Sequence, residues 1–556
     1  MTRSRFIHTL LVIGATLLAC AGAMPQRARL PNHSVGLSLR GTAVSSSDST
    51  ESNYDVKSYT IALRIDPDQK SISGNVTITA TATSPSLRRL SLDLENSLTV
   101  ESVESKGRGL KFIHDQNRLT MELRHRYERG SRFQVKVNYH GQPKGDGFSF
   151  GEHQSIPMIS TYGLPFTAQQ WWPCKDTPLD KADSVDLIIT VPNALVVASN
   201  GKLISERPND DGTRTFHWSV RYPIYPDTVS LAITNYQVFA LRYQYSATHS
   251  MPLVFYVYPE DVLKAKTDFS LLPDIIKTYA AIFGPYPFLK EKYGVAEFPI
   301  NSFREHQTLP SYGAARITGD HNNDFILAHE LAHQWFGNSI SVKSWSDVWL
   351  NESFATYAYA LWRERLEGKT SYFQVIKKWD RNDFSGSVFV ENPKDQDKLF
   401  TSTTFYKGAW VLHMLRHVMG DEVFFRALKT YVKTFAYKNA STEDYQAVCE
   451  KEYRRSLDWF FKEWIYGDGR PEYKYQWTVS RAGTRHIVKL IVDQAQTGPG
   501  LFRMPLDVVL TTPTSEKKFV VRDERRSQSF EFSLDEDVLQ LKVDPEGMVL
   551  KKLSQQ

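Results

Sequence analysis

Residues 329–333 read His329-Glu330-Leu331-Ala332-His333. On a helix, positions i and i+4 share a face about 5–6 Å apart, so the two imidazoles can reach one cation. Glu330 falls at the edge of that face, where its carboxylate can hydrogen-bond a water on the cation instead of binding the cation. Neutral imidazole and carboxylate suit Zn²⁺, and three protein ligands leave a fourth position for water, whose pKa the metal brings toward ~7. The third ligand is expected on the following helix. Val348-Trp349-Leu350-Asn351-Glu352 places a carboxylate 19 positions after His333, and a helical hairpin can carry it over the histidine pair. The expected centre is therefore one Zn²⁺ per chain on His329, His333 and Glu352, with Glu330 as general base. An isolated His-Glu-x-x-His is more often a solvated helix face. Here it lies in an apolar helix closed by Gly337.

The elements that must position these residues follow from periodicity. Helices are expected over 324–336, 348–367, 409–419, 422–435, 442–453 and 457–465, and Ser441 with Asp444 resembles a capping box. Upstream the period is two. Tyr59, Ile61, Leu63 and Ile65, then Val76, Ile78, Ala80 and Ala82, then Phe133, Val135, Val137 and Tyr139 alternate with polar or small residues, each series giving a strand with one buried face. The same period returns after Gly467-Asp468-Gly469-Arg470-Pro471, as in Leu539, Leu541 and Val543. The expected division is an N-terminal antiparallel β domain at 54–240, a mainly helical domain at 241–467 and a small β-sandwich at 468–556.

Length and composition agree with several globular units. The chain has 556 residues, three or four domains at ~150 residues each. Charged residues are 23% and the net charge is +5, spread along the chain rather than in blocks, which gives no reason to propose a nucleic-acid partner. Residues 1–23 are expected to be an export signal: Arg3 and Arg5 precede the apolar run Leu10 to Ala19, and Ala21-Gly22-Ala23 fits a cleavage site. Leu17-Leu18-Ala19-Cys20 also fits a lipobox, in which a lipidated Cys20 would tether the chain to a membrane; the plain alternative makes Cys20 one small residue of the apolar run. Residues 24–53 read as a flexible tether. The expected location is periplasmic, extracellular or anchored at the outer membrane. Beyond Cys20 only Cys174 and Cys449 remain, at most one bridge and otherwise two buried thiols, which excludes a disulfide-dense scaffold.

At this point the chain resembles a known family. His329 through Gly337 and Trp349-Leu350-Asn351-Glu352-Ser353-Phe354-Ala355 are similar to the paired zinc motifs of the aminopeptidase N-like gluzincins, with Ser353 where glycine is usual. Trp172-Pro173-Cys174-Lys175-Asp176-Thr177-Pro178, Lys181-Ala182 and Phe460-Phe461-Lys462-Glu463-Trp464 resemble further family segments. For Trp171 and Trp172 the plain expectation is core packing. The resemblance implies a multidomain α+β fold: a saddle-like antiparallel β domain, then a thermolysin-like catalytic domain. It also implies peptide substrates cleaved from the N-terminus.

Three departures bear on chemistry. The family's Tyr-x-Lys-Gly motif supplies a hydroxyl to the oxyanion; here it reads Phe405-Tyr406-Lys407-Gly408. Tyr406 is the candidate substitute, but one helical step turns a side chain by about 100°, so a shift in helix phase is needed. The family's Gly-x-Met-Glu-Asn motif, whose Glu holds the substrate's α-ammonium, corresponds to Ser302-Phe303-Arg304-Glu305-His306. Glu305 and His306 are the substrate-binding candidates. Arg304 would compete with the substrate amine for Glu305, or simply form a solvated ion pair with it. A second amine-binding Glu or Gln is replaced by Leu164. Three functions are thus in play: an exported zinc aminopeptidase, a metallohydrolase of altered specificity, and a zinc-bearing binding protein without turnover.

Overall fold

The computed structural model describes residues 51–556 apart from Leu164, Ile300, Gly498 and Pro499. The export segment, Cys20 and nearly all of the expected tether lie outside the described residues, as does Leu164.

The alternating residues form the core of an eight-stranded sheet. Strand β1 (Tyr54–Asp66) pairs antiparallel with β2 (Ser71–Ala82), which pairs antiparallel with β3 (Arg132–Gly141). On its other edge β1 runs parallel to β4 (Ser184–Pro192). The register sets Ile61 beside Val76 and Tyr59 beside Ile78, and Val137 and Val135 face the same two β2 residues. All are buried. Because side chains alternate with a period of two, this register puts every apolar member on one face. Trp172 packs edge-on against Tyr59 at 4.7 Å, and Trp171 and Trp172 are core residues as expected.

The segment after Trp172 ties the β domain together with buried charge. Lys175 Nζ donates to Asp180 Oδ2 at 2.6 Å and to the Tyr54 carbonyl at 2.9 Å. Asp176 and Asp227 are both buried, close enough for each carboxyl to shift the titration of the other. Asp176 Oδ2 accepts the Gln169 N–H and Asp227 Oδ1 the Thr167 N–H. The remaining oxygens, Asp176 Oδ1 and Asp227 Oδ2, are buried without a hydrogen-bond partner, and one proton shared between the two carboxyls would satisfy both. The pair anchors the turn at 167–169, just after Leu164.

The chain next forms a five-stranded sheet in the order β5 (Gln237–Gln244), β6 (Ser250–Val257), β7 (Tyr293–Phe298), β9 (Ser311–Gly313) and β8 (Phe303–Arg304). Strand β5 runs through residue 240, where the sequence suggested a boundary, because it pairs along its length with β6.

Helices follow: α1 (Leu272–Phe283), α2 (Asp324–Ala332), α3 (Trp349–Glu367), α4 (Lys369–Lys378), α5 (Gly408–Met419), α6 (Asp421–Phe435), α7 (Thr442–Tyr453) and α8 (Asp458–Trp464). Helices α1 and α4 are additional to those expected from periodicity. Periodicity also carries α2 to 336, whereas the regular helix stops at Ala332. Beyond it the Asn338 and Ser339 N–H groups reach back five residues to the His333 and Gln334 carbonyls, and Gly337 adopts φ +129°. The expected capping box is present: Ser441 N–H donates to Asp444 Oδ2 at 2.8 Å, and the Ser441 hydroxyl accepts the Asp444 N–H.

The C-terminal segment holds a four-stranded and a three-stranded sheet. Leu541 and Val543 are buried there, but Leu539 is 65% exposed because its strand begins only at Gln540. Cys174 and Cys449 are both buried.

The carboxyl pair generates a pH prediction. Burial pushes both groups up, Asp227 to about 7, while unfolded aspartates titrate near ~4. Between these values the folded chain binds more protons than the unfolded one, so the pair's contribution to stability falls as pH rises from about 4 to about 7. Asp227→Asn keeps an acceptor for Thr167 and offers Asp176 an N–H in place of the shared proton. Measured by thermal unfolding, the Tm of D227N minus that of the native chain should increase across this window; a constant difference would refute the shared proton.

Candidate metal centre

Helix α2 delivers the first two donors. His329 lies in its last turn, and His333 caps it with helical dihedrals (φ −58°, ψ −21°), so the i, i+4 relation survives the early end of the helix. Their Nε2 atoms stand 3.0 Å apart. Helix α3 carries Glu352 in its first turn, with Oε2 3.4 Å from His329 Nε2 and 3.5 Å from His333 Nε2. All three residues are buried, at 2%, 1% and 4% exposure. They form the single His/Cys/Asp/Glu cluster of metal-binding size among the described residues.

Each imidazole is held from behind. His333 Nδ1 lies 3.0 Å from the Phe336 carbonyl, and His329 Nδ1 lies 3.4 Å from Thr356 Oγ1. With Nδ1 protonated, both Nε2 lone pairs face the cluster, the arrangement by which outer groups fix a ligand's tautomer. Thr356 went unnoticed in the sequence, although it lies four residues after Glu352 and therefore on the same helix face.

The electrostatics ask for a cation. Burial opposes ionisation of Glu352, yet His333 and His329 outweigh it and bring its pKa down to about 2. Burial likewise lowers the pKa of His333, but Glu352, Glu305 and Glu330 raise it to about 10. A point that holds a proton on imidazole so firmly suits a positive ion. Glu330 is 1% exposed and neither carboxylate oxygen has a hydrogen-bond partner. Burial raises its pKa well above the usual carboxylate range, opposed by His333 and Arg304. A buried carboxylate without a donor is costly, and a metal centre with its water would relieve it. The donor set and this orphaned carboxylate fit zinc.

The segment 302–308 forms one wall. Its main chain is pinned to the loop after α2: Asn338 Nδ2 donates to the Glu305 carbonyl at 2.7 Å, and Gln334 Oε1 accepts the Thr308 N–H at 2.8 Å. That loop is braced from the β domain by Lys181, whose Nζ donates to the Asn338 and Ser339 carbonyls at 2.8 Å. Glu305 is half-buried and its carboxylate has no ion-pair partner among the described residues. Burial raises its pKa, opposed by His333. The expected ion pair with Arg304 does not form. Arg304 instead stacks on Tyr162, its Cζ 3.7 Å from the ring centroid. His306, the second candidate, is packed into the interior. It is 1% exposed, with Nδ1 3.1 Å from Ser311 Oγ, and its ring fills the space beside Gly163, where a Cβ would fall 2.3 Å from Nε2. Burial and Arg304 lower its pKa to about 3, so it packs as a neutral ring.

Another wall carries the departure at Phe405. Residues Thr403–Lys407 form a π-helical turn. Ser353 donates to the Thr404 carbonyl at 2.6 Å and packs against Gly408, where a Cβ would meet its Oγ at 1.9 Å. This turn sets the Phe405 ring 5.9 Å from that of His329. Tyr406 is directed elsewhere: its ring stacks on Trp379 at 6.3 Å, with Arg381 5.4 Å away. Its buried hydroxyl has no hydrogen-bond partner. The phase change therefore does not exchange the two residues, and Phe405 is the one facing the centre.

Comparison with known proteins agrees with this geometry. The peptidase M1 N-terminal domain family matches residues 54–225, and the peptidase family M1 domain matches residues 298–464. Aminopeptidase M1-B of Oryza sativa subsp. japonica is 27% identical over 406 residues, covering 66% of this chain and 43% of that protein. Probable aminopeptidase 2 of Sulfurisphaera tokodaii is 24% identical over 409 residues, covering 67% and 49%. The chain thus spans less than half the length of these curated relatives. The crystal structure of the M1 zinc metallopeptidase from Deinococcus radiodurans superposes with a TM-score of 0.66 at 24% identity, covering 75% of this chain and 95% of that one. A mutant of that enzyme bound to a Tyr-Ser-Ala substrate gives 0.65 at 23% identity, with the same coverage. With both halves of its motif set in place on this fold, the chain belongs to peptidase family M1, the aminopeptidase N-like metallopeptidases.

Proposed function

We propose that the chain is an exported, zinc-dependent peptidase that removes residues from the N-termini of peptides. The observation that carries this reading is the convergence of His329, His333 and Glu352 beside the unpartnered, buried Glu330. Zinc held by those three residues would supply Lewis acidity toward the scissile carbonyl and make a water easier to deprotonate. Glu330 takes the proton of the attacking water and passes it to the departing amine. Glu305 receives the substrate's α-ammonium, which marks the peptide's first residue as the one removed. Export rests on residues 1–23 alone, and a lipidated Cys20 would add a membrane tether. Aminopeptidases among the relatives support the choice of substrate.

A second reading, weak or absent turnover, is favoured by Phe405. Its ring has no hydroxyl to offer a developing oxyanion, and Tyr406 is turned toward Trp379 and Arg381. Losing one such donor typically lowers kcat by about 10²–10³.

Three measurements decide between these readings. On a zinc-replete chain, Glu330→Gln should lower kcat by about 10²–10⁴, the range for general base catalysis, with zinc content per chain unchanged by elemental analysis. Phe405→Tyr should raise kcat by about one to three decades; no gain would mean that another group already serves the oxyanion. A free-amine peptide should be cleaved much faster than its N-acetylated twin, since acetylation removes the charge that Glu305 binds. Equal rates would discard the aminopeptidase reading, and hydrolysis of neither by the native chain would favour a zinc-bearing binding protein.

A further inference from the structure

Arg304 presents an unpaired guanidinium on the wall of the metal centre. It is half-buried, and no carboxylate forms an ion pair with it among the described residues. Its Nη1 is committed to the chain itself, donating to the Phe303 carbonyl at 2.6 Å and to Ser302 Oγ at 3.3 Å. Tyr162 covers one face of the guanidinium plane at 3.7 Å, contributed by the β domain. Nε is buried without a hydrogen-bond partner. Its positive charge is felt by Glu305 and by Glu330. The preceding side chain, Phe303, lies 6.2 Å from the His329 ring, so this short strand borders the centre directly.

We propose that Arg304 selects peptides whose first residue carries a side-chain carboxylate, that is, aspartyl or glutamyl N-termini. This rests on the peptidase reading and names its substrate class. Arg304 and Glu305 are adjacent in the chain, opposite in charge, and both lack an ion partner. A ligand satisfying both must carry an ammonium and a carboxylate within about one residue of each other. In a peptide, the α-ammonium and side-chain carboxylate of an acidic first residue meet that condition. The C-terminal carboxylate does not, because it lies beyond the scissile bond. The guanidinium is already oriented for such a carboxylate. Stacking on Tyr162 fixes its plane, and the two acceptors engaged by Nη1 fix its rotation. Nη2, neither bonded to the chain nor sealed from solvent, then remains for a charge-assisted hydrogen bond with a carboxylate. A lysyl or arginyl first residue would instead place like charges together.

The test compares matched tripeptides H-Xaa-Ala-Phe, with Xaa as Glu, Asp, Gln, Leu or Lys, on the zinc-replete full chain. The proposal expects kcat/KM for Glu or Asp to exceed that for Gln by about ten- to a hundredfold, the range a charge-assisted pair adds, with Lys the poorest. In Arg304→Met the Glu-to-Gln ratio should fall toward one, and in Arg304→Lys it should recover in part. Calorimetric binding of the Glu and Gln peptides to Glu330→Gln gives a readout without turnover. If Glu and Gln peptides are cleaved equally fast, the carboxylate site is overturned and the peptidase reading stands. If nothing is cleaved yet the Glu peptide still binds more tightly than the Gln peptide, the peptidase reading falls and the carboxylate site stands. Equal binding, or a preference untouched by R304M, refutes the role of Arg304.

Discussion

Everything in the central part of this molecule is arranged around a buried electrostatic imbalance. Two imidazoles and the carboxylates of Glu352 and Glu330 share a space from which solvent is almost excluded, and Glu305 stands at its edge. Three acids with two neutral rings would repel one another severely in a medium of low polarisability. A divalent cation on the three convergent donors removes most of that penalty at once. It also explains the division of labour among the acids. Glu352, 3.4 and 3.5 Å from the two Nε2 atoms, is held ionised by the histidines. Glu330, one residue from a ligand yet without a donor of its own, remains basic because burial disfavours its charge.

Holding that imbalance in register requires more than two helices. The loop after α2 is fastened to the β domain through Lys181 and to segment 302–308 through Asn338 and Gln334. Segment 302–308 is in turn covered by the Tyr162–Gly163 turn, with His306 filling the room that a glycine leaves. The centre therefore sits between walls from both domains.

What could be read in advance follows from how far each interaction extends along the chain. The ligands were legible because helix geometry relates His329 to His333 over four residues, and the strands because alternation is local. The Tyr162–Arg304 stack was not, since its members lie 142 positions apart and no periodicity links them. The same holds for Lys181 and the Asn338 carbonyl. The burial of His306 has a related cause: the motif suggests a substrate contact, whereas the packing of its ring is set by the distant Gly163. Helix α2 looked longer than it is because its apolar pattern continues through Phe336, while the backbone leaves the helix to let the next segment pass under His333.

The departures from the family pattern are connected through the field at Glu330. Where the family motif has methionine, Arg304 adds a cation near the base; where it has tyrosine, Phe405 leaves no hydroxyl near His329. A positive charge beside Glu330 favours its ionised form against burial, so more of the base is ready to accept a proton, but each carboxylate so favoured is also a weaker base. The loss at Phe405 acts on a different atom, the carbonyl oxygen, and no guanidinium committed to Phe303, Ser302 and Tyr162 can compensate it. On the proposed reading the two substitutions act on separate steps: Arg304 bears on which substrate is held and how readily Glu330 is charged, and Phe405 on how far the bound carbonyl is stabilised as it reacts.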